Sequence, residues 1–513
     1  MTGYLSTTDT YLAKNKIVFP LILLLIGIAV YLPSINIFYI NDEIAFIERT
    51  KVNNLFDLFS FFNFQNFDGS YYRPIGNIIA GKITFFTNQN LVLIRLFNIL
   101  IHILNAFLVY QLGKRLLKNL EYYNLLSAMA AIIFLVHPLH DYAVIWHTAL
   151  FERAMTAFYL IALVFFIDKK ILLSLFFAVL AILSKEMAFS IPLVVLVIAV
   201  YNEIDKKEIA FQSLLFFAAA ITIILIRIFF LNNNFLTSPD THPNAGILTI
   251  FKNIFLFAGL VFYPLNIDDV KTFIQNNAYI IYVVIILLVC ISFLFYKFVN
   301  NKKQIILLIL LFILMILPAS RLLMRWYDYL PSVALCLLIP VVLFELKRIK
   351  SIAAVILILF VVVEIFSLVK KEFAWKEVSI SGKELLSNFV NEYKEHIAGV
   401  KEIEFVNLPA KVNEIPLFQL GFYDHINYFL KEKKNVSLFS KMYMYEFNNE
   451  MMITKNRDTI SISLNRENYF ILSHNEKYVN FNDVEKTSKI NYLYKPSRDK
   501  LIVLYKNGRF EKI

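Results

Sequence analysis

The sequence predicts an all-α polytopic membrane domain with about eleven transmembrane helices, followed by a small extracytoplasmic α/β domain. Three observations carry this. Of 513 residues, 58% are hydrophobic and only 17% are charged, whereas soluble domains carry roughly a quarter charged residues. Mean hydropathy is +0.62. The long apolar runs lie before Lys370, and the chain beyond it reads like a soluble protein. Lys and Arg cluster between the runs at alternating ends, as expected of cytoplasmic loops.

Runs of this length suit a bilayer-crossing helix, because hydrocarbon leaves the backbone no partner but itself. Basic clusters at Lys14/Lys16, Lys114/Arg115/Lys118, Lys169/Lys170, Lys206/Lys207, Lys297/Lys302/Lys303 and Lys347/Arg348/Lys350 fix the cytoplasmic ends. The spans then fall near 17–33, 91–113, 123–138, 148–167, 171–183, 187–201, 210–231, 277–296, 304–319, 329–344 and 351–369. The first run lacks a small-residue cleavage site and reads as a retained helix. Phe251–Pro264 is apolar but short, and reading it as re-entrant keeps every basic cluster inside. An odd number of crossings places 371–513 outside the cell membrane. Trp146, Trp326 and Trp375 then fall at the outer interface.

The net charge of +11 sits largely at helix ends, so it does not point to nucleic acid. Cys290 and Cys336 both lie inside predicted spans, which leaves no disulfide framework. The 371–513 domain opens with a polar helical stretch, Phe373–Tyr393. Strand-like runs follow at Ile403–Leu408, Ser437–Phe447, Thr459–Leu464 and Leu501–Leu504, with a helix near Leu417–Leu430. It shows no tetratricopeptide period.

Candidate chemistry gathers on the outer side of this topology. The first outer loop, 34–90, begins with Asn41-Asp42-Glu43. Adjacent carboxylates near a membrane suit a general base toward a hydroxyl, or two ligands for Mg²⁺ or Mn²⁺. They equally suit the acidic start of a short helix at Ile44–Val52. Tyr71-Tyr72-Arg73-Pro74 offers a guanidinium among aromatics, fit for phosphate or for interfacial anchoring. Asn98, His102 and Asn105 share one helix face and suit interhelical hydrogen bonds. His137, His140 and His147 fit no zinc spacing, and Glu152-Arg153 suits an internal pair or the outer cavity. Ser184-Lys185-Glu186 forms a turn whose lysine departs from the charge bias; it suits phosphate or a Lys–Glu pair. Arg321 and Arg325 stand at i, i+4 and would point one way on a helix. Arg227 and Glu364 sit near span ends.

Asp42-Glu43 after the first helix resembles the acidic motif of the GT-C glycosyltransferases. Tyr72-Arg73-Pro74, Arg95 to Asn98 through His102 and Leu104-Asn105, His137-Pro138-Leu139-His140, Leu183-Ser184-Lys185-Glu186 and Tyr327-Asp328-Tyr329-Leu330-Pro331-Ser332 are similar, in order, to the membrane part of the transmembrane and tetratricopeptide-containing O-mannosyltransferases. Where that group has Gly-Arg-Ala-Glu, this chain has Glu152-Arg153-Ala154-Met155, and 371–513 stands where the repeats would be. The resemblance implies inverting transfer of a sugar from a polyprenyl-phosphate donor to a glycan, lipid or protein acceptor. In it Asp42 would be the base, with Glu43 orienting it or sharing a divalent cation. Arg73, Lys185, Arg325 and Arg321 would meet the donor phosphate, supported by Tyr72, His137, His140, Glu152, Arg153, Glu186 and Tyr329. The other readings are a lipid-linked polysaccharide flippase, an O-antigen polymerase or ligase, and a non-catalytic scaffold.

Overall fold

The computed structural model describes residues 2–64, 71–230, 246–262, 283, 286, 300–345, 350–447, 450–464, 468–472 and 486–513. The chain forms two compact units: Met1–Ile35 with Val52–Glu372, and Asn36–Lys51 with Phe373–Ile513. One helix, Lys350–Glu392, belongs to both.

The first unit is helical. Val18–Asn36, Leu91–Leu116, His147–Ile167, Lys206–Phe230, Lys302–Ala319 and Ile352–Glu392 are each long and apolar enough to cross a membrane. Tyr123–Val136 and Pro138–Ile145 make one more if that pair, bent by 44°, is a single span. The bend has a covalent cause. Pro138 brings no amide hydrogen and pushes His137 out of the helical region, to φ −68°, ψ 122°. Several long apolar helices of this kind are consistent with a multi-pass membrane protein, and they turn apolar side chains such as Leu25, Phe211 and Phe366 outward.

The spans expected at 171–183, 187–201 and 329–344 are shorter apolar helices, Ile171–Ile182, Glu186–Tyr201 and Ser332–Glu345. At about 1.5 Å per residue each rises less than the roughly 30 Å of a hydrocarbon core. The count of long spans is therefore below the eleven expected, among the described residues. The expected re-entrant stretch is the short helix Ile247–Phe262. The span expected at 277–296 lies outside the described residues except Val283 and Ile286, as do Cys290, Lys297, Lys347 and Arg348. The loop expected at 34–90 holds two helices, Glu43–Thr50 and Pro74–Thr87, and a 3-10 turn, Leu55–Phe62.

Leu91–Leu116 packs on Tyr123–Val136 and Leu150–Ile167. Alanines such as Ala106, Ala130 and Ala131 are fully buried there, in keeping with the close approach that small residues give membrane helices.

The second unit is α/β. Its strands are β1 Glu402–Phe405, β2 Pro409–Val412, β3 Ile415–Pro416, β4 Asn435–Leu438, β5 Ser440–Met444, β6 Met451–Asn456, β7 Thr459–Leu464, β8 Tyr469–Leu472, β9 Lys486–Thr487, β10 Lys489–Leu493, β11 Lys500–Lys506 and β12 Arg509–Lys512. They form sheets ordered β12-β11-β1-β4, β10-β7-β6 and β3-β2-β5-β8-β9. β1 runs parallel to both β4 and β11, with Ile403 beside Val436 and Leu501. Its alternation explains that central place: Ile403 and Phe405 are buried, while Lys500 holds Glu402 and Glu404 at 3.2 and 2.6 Å. Phe389, Phe422 and Phe510 close on Phe405 with ring centroids 5.4, 4.7 and 5.1 Å away. The run expected at Ser437–Phe447 breaks at Phe439 into β4 and β5. The helix expected near Leu417–Leu430 starts only at Phe422, because Gly421 precedes it at φ +68°. Trp375, expected at the membrane interface, belongs to this unit and is buried.

Candidate active site

The acidic pair belongs to the second unit. Asn41 takes φ +54°, a conformation Asn tolerates better than most residues. Its amide donates to the Leu417 carbonyl at 2.7 Å, and its side-chain oxygen accepts from the Leu420 amide at 2.8 Å. Its carbonyl accepts from His425 Nε2 at 2.7 Å. Asp42 and Glu43 then part ways. Glu43 is fully buried and its carboxylate accepts from the Ile40 amide at 3.0 Å. Asp42 stands before the Glu43–Thr50 helix but its side chain does not cap it, and the residue is half-buried. Glu43 therefore shapes the turn, and Asp42 is the less buried of the two. Among the described residues no three His, Cys, Asp or Glu side chains gather as metal ligands would. Glu43, turned inward, also fits poorly as the second ligand expected for a divalent cation.

The first unit brings together sequence-distant charges. Arg73 precedes the Pro74–Thr87 helix, whose Ile75 amide donates to the Leu183 carbonyl at 3.3 Å. Gly76 makes this approach possible. A Cβ there would lie 2.3 Å from the Phe151 ring and 3.2 Å from the Ser184 carbonyl. Docked so, Arg73 donates to Glu186 from Nε at 2.9 Å and from Nη2 at 2.7 Å. Its guanidinium lies over the Tyr71 and Phe151 rings, at 4.3 and 5.1 Å. Arg227 reaches the other Glu186 oxygen at 3.0 Å and the Tyr72 carbonyl at 2.8 Å. Lys185 turns the opposite way, pairs with Glu152 and lies 5.0 Å over the Tyr327 ring. The Lys185–Glu186 surface pair suggested by adjacency therefore does not form, and Glu152 takes Lys185 as its partner. Three cations share two carboxylates in this cluster, and it is open at one edge, where Arg73 and Glu186 side chains are 15% and 19% exposed.

Arg325 and Arg321 do not act together. The Lys302–Ile316 helix gives way to a 3-10 turn at Pro318, which cannot continue it. Arg321 is left exposed, while Arg325 begins a second 3-10 turn, buried. Arg325 lies 3.3 Å from Asp141, which Lys371 approaches at 4.0 Å.

The remaining sequence candidates form the scaffold between helices. His102 Nε2 donates to the Leu135 carbonyl at 3.0 Å, and its Nδ1 accepts from the Tyr329 hydroxyl at 2.7 Å. Asn105 donates to that hydroxyl at 3.0 Å. Arg153 donates to Asn98 at 2.7 Å and to the Ala143 carbonyl. His137 donates to the Val261 carbonyl at 2.7 Å, His140 donates to the Phe134 carbonyl at 2.8 Å, and Tyr72 donates to the Phe62 carbonyl at 3.2 Å. These are hydrogen bonds that tie elements together in an apolar medium.

Sequence reasoning noted Arg227 near a span end but gave no role to it, to Asp141 or to His425. A lone arginine within the last turn of an apolar 25-residue helix was a signal for the first. His425 carried none, because its partner lies 384 residues away. No protein-family model matches the chain, and no curated protein matches it.

Proposed function

We propose that this protein is an integral-membrane glycosyltransferase that moves a sugar from a polyprenyl-phosphate donor to a hydroxyl-bearing acceptor on the outer face of the cell membrane. The observation that carries this reading is the cluster of Arg73, Arg227 and Lys185 around Glu186 and Glu152, open at the Arg73 edge. In an apolar unit such a cluster suits a ligand that joins one anionic head to a hydrocarbon tail.

In the proposed reaction the acceptor oxygen attacks the anomeric carbon and its proton passes to the Asp42 carboxylate. The bond from that carbon to the phosphate oxygen breaks, and its electron pair leaves with the polyprenyl phosphate. Configuration at carbon inverts. Arg73, Arg227 and Lys185 of the helical unit are the fixed charges proposed to bind the donor's phosphate.

Binding of polyprenyl phosphate to the protein in nanodiscs tests the donor half. Lys185→Met combined with Glu152→Gln removes one cation and one carboxylate together, so no buried charge is left unpaired. The expected result is a Kd raised at least about tenfold with the thermal midpoint little changed. An unchanged Kd would remove the cluster from donor binding.

A further inference from the structure

The turn that presents Asp42 is built by the C-terminal part of the chain. Asn41 is buried in a left-handed conformation, and its amide, carbonyl and side-chain oxygen are fixed by Leu417, His425 and Leu420. Residues held in such conformations persist only where their surroundings determine them. On the facing strand-to-helix turn, Gly421 takes φ +68°, and a Cβ on it would lie 2.8 Å from the Asp42 Cα and 3.0 Å from the Asn41 carbonyl oxygen. That is closer than any Cβ approaches backbone, so the two turns lie against each other with no space between them. On the far side of Asp42, Glu43 closes back on the Ile40 amide, and the Asp42 carbonyl accepts from the Phe46 amide at 2.9 Å. Asp42 is therefore held from both flanks while its own side chain is left out of the cap.

His425 is suited to this task. It is buried, it gives its Nε2 proton to Asn41, and its Nδ1 finds no hydrogen-bond partner. The ring is thus a neutral donor in one tautomer, a fixed peg for the Asn41 carbonyl.

We infer that the 417–425 segment is a positioning element of the active site, in which His425 and Gly421 set the direction of the Asp42 carboxylate toward the acceptor. This rests on Asp42 being the base. It makes the C-terminal α/β unit a required part of catalysis, where a tethered accessory domain would contribute only binding.

The test uses the full chain in nanodiscs with the polyprenyl-phosphate sugar and acceptor. Four variants are compared with wild type: Asp42→Asn, Gly421→Ala, His425→Ala and His425→Gln. Glutamine keeps an amide hydrogen near the position of Nε2, and alanine keeps none. The expected result is a kcat lowered about a hundredfold in Gly421→Ala and His425→Ala, with the donor KM within about twofold of wild type. His425→Gln should recover most of kcat. Hydrogen exchange should rise at 40–46 in the two impaired variants and not in the membrane helices. If Asp42→Asn is inactive while Gly421→Ala and His425→Ala turn over normally, the positioning role is wrong and the base reading stands. Impaired variants that His425→Gln fails to rescue, with kcat and thermal midpoint falling together, would reduce the contact to ordinary folding support. An active Asp42→Asn would overturn both readings.

Discussion

Glu186→Gln probes the charge cluster directly. The carboxylate accepts two N–H groups from Arg73, at 2.9 and 2.7 Å, and one from Arg227 at 3.0 Å. Removing one partner of a buried ion pair costs about 3–5 kcal/mol, because the other charge stays behind. Glutamine retains one acceptor oxygen, and the Arg73 and Glu186 side chains are 15% and 19% exposed, so the low end, about 3 kcal/mol, applies. Reversible unfolding in mixed micelles would measure it. Arg227→Met in the Glu186→Gln background should restore about 2 kcal/mol, since the two residues share a contact and their effects are not additive. Added polyprenyl phosphate should stabilise Glu186→Gln more than wild type, because an anion then takes the place of the missing carboxylate. A loss below about 0.5 kcal/mol with no coupling to Arg227 would refute the view that Glu186 holds the two arginines together.

Three further outcomes follow from the geometry. Gly76→Ala forces a Cβ into the Phe151 ring; it should lower stability by about 1–3 kcal/mol and weaken polyprenyl-phosphate binding by displacing Arg73. Tyr329→Phe strips the hydroxyl that meets both His102 and Asn105 and should lower stability in the same unfolding assay by about 1–2 kcal/mol. Burial holds His425 down at about 4, against 6.5 for a free histidine. The unfolded chain therefore takes up a proton that the folded one refuses as pH falls from 6.5 to 4. Stability is full above that window and declines through it by about 3 kcal/mol. Asp424, whose carboxyl burial pushes up, acts in the opposite sense near the bottom of the window. Replacing His425 by Gln should flatten the decline between pH 6.5 and 4, as read by hydrogen exchange at 40–46.

What could be read from the sequence was what local pattern encodes. Apolar runs gave the long helices, since each satisfies its own backbone. They could not tell Ile171–Ile182 from a full crossing, because only the position of the ends separates a 12-residue helix from a longer one. Asp42 stood out by chemistry and place, and Arg73, Lys185, Glu152 and Glu186 stood out as charges near apolar runs. Their pairing did not. Lys185 and Glu186 are neighbours in sequence but face opposite ways, toward Glu152 and Arg73. Likewise nothing local shows that 36–51 folds with 373–513. The contacts that join them, Asn41 to Leu417, Leu420 and His425, span more than 370 residues and leave no periodic trace.

The most direct measurement is mass spectrometry of envelope glycans and glycolipids from a deletion strain, bare or complemented with wild type or with Asp42→Asn. The expected result is one sugar mass lost on deletion, restored by wild type and not restored by Asp42→Asn, with that variant present in the membrane at wild-type level. Restoration by Asp42→Asn as complete as by wild type would contradict glycosyl transfer with Asp42 as its base.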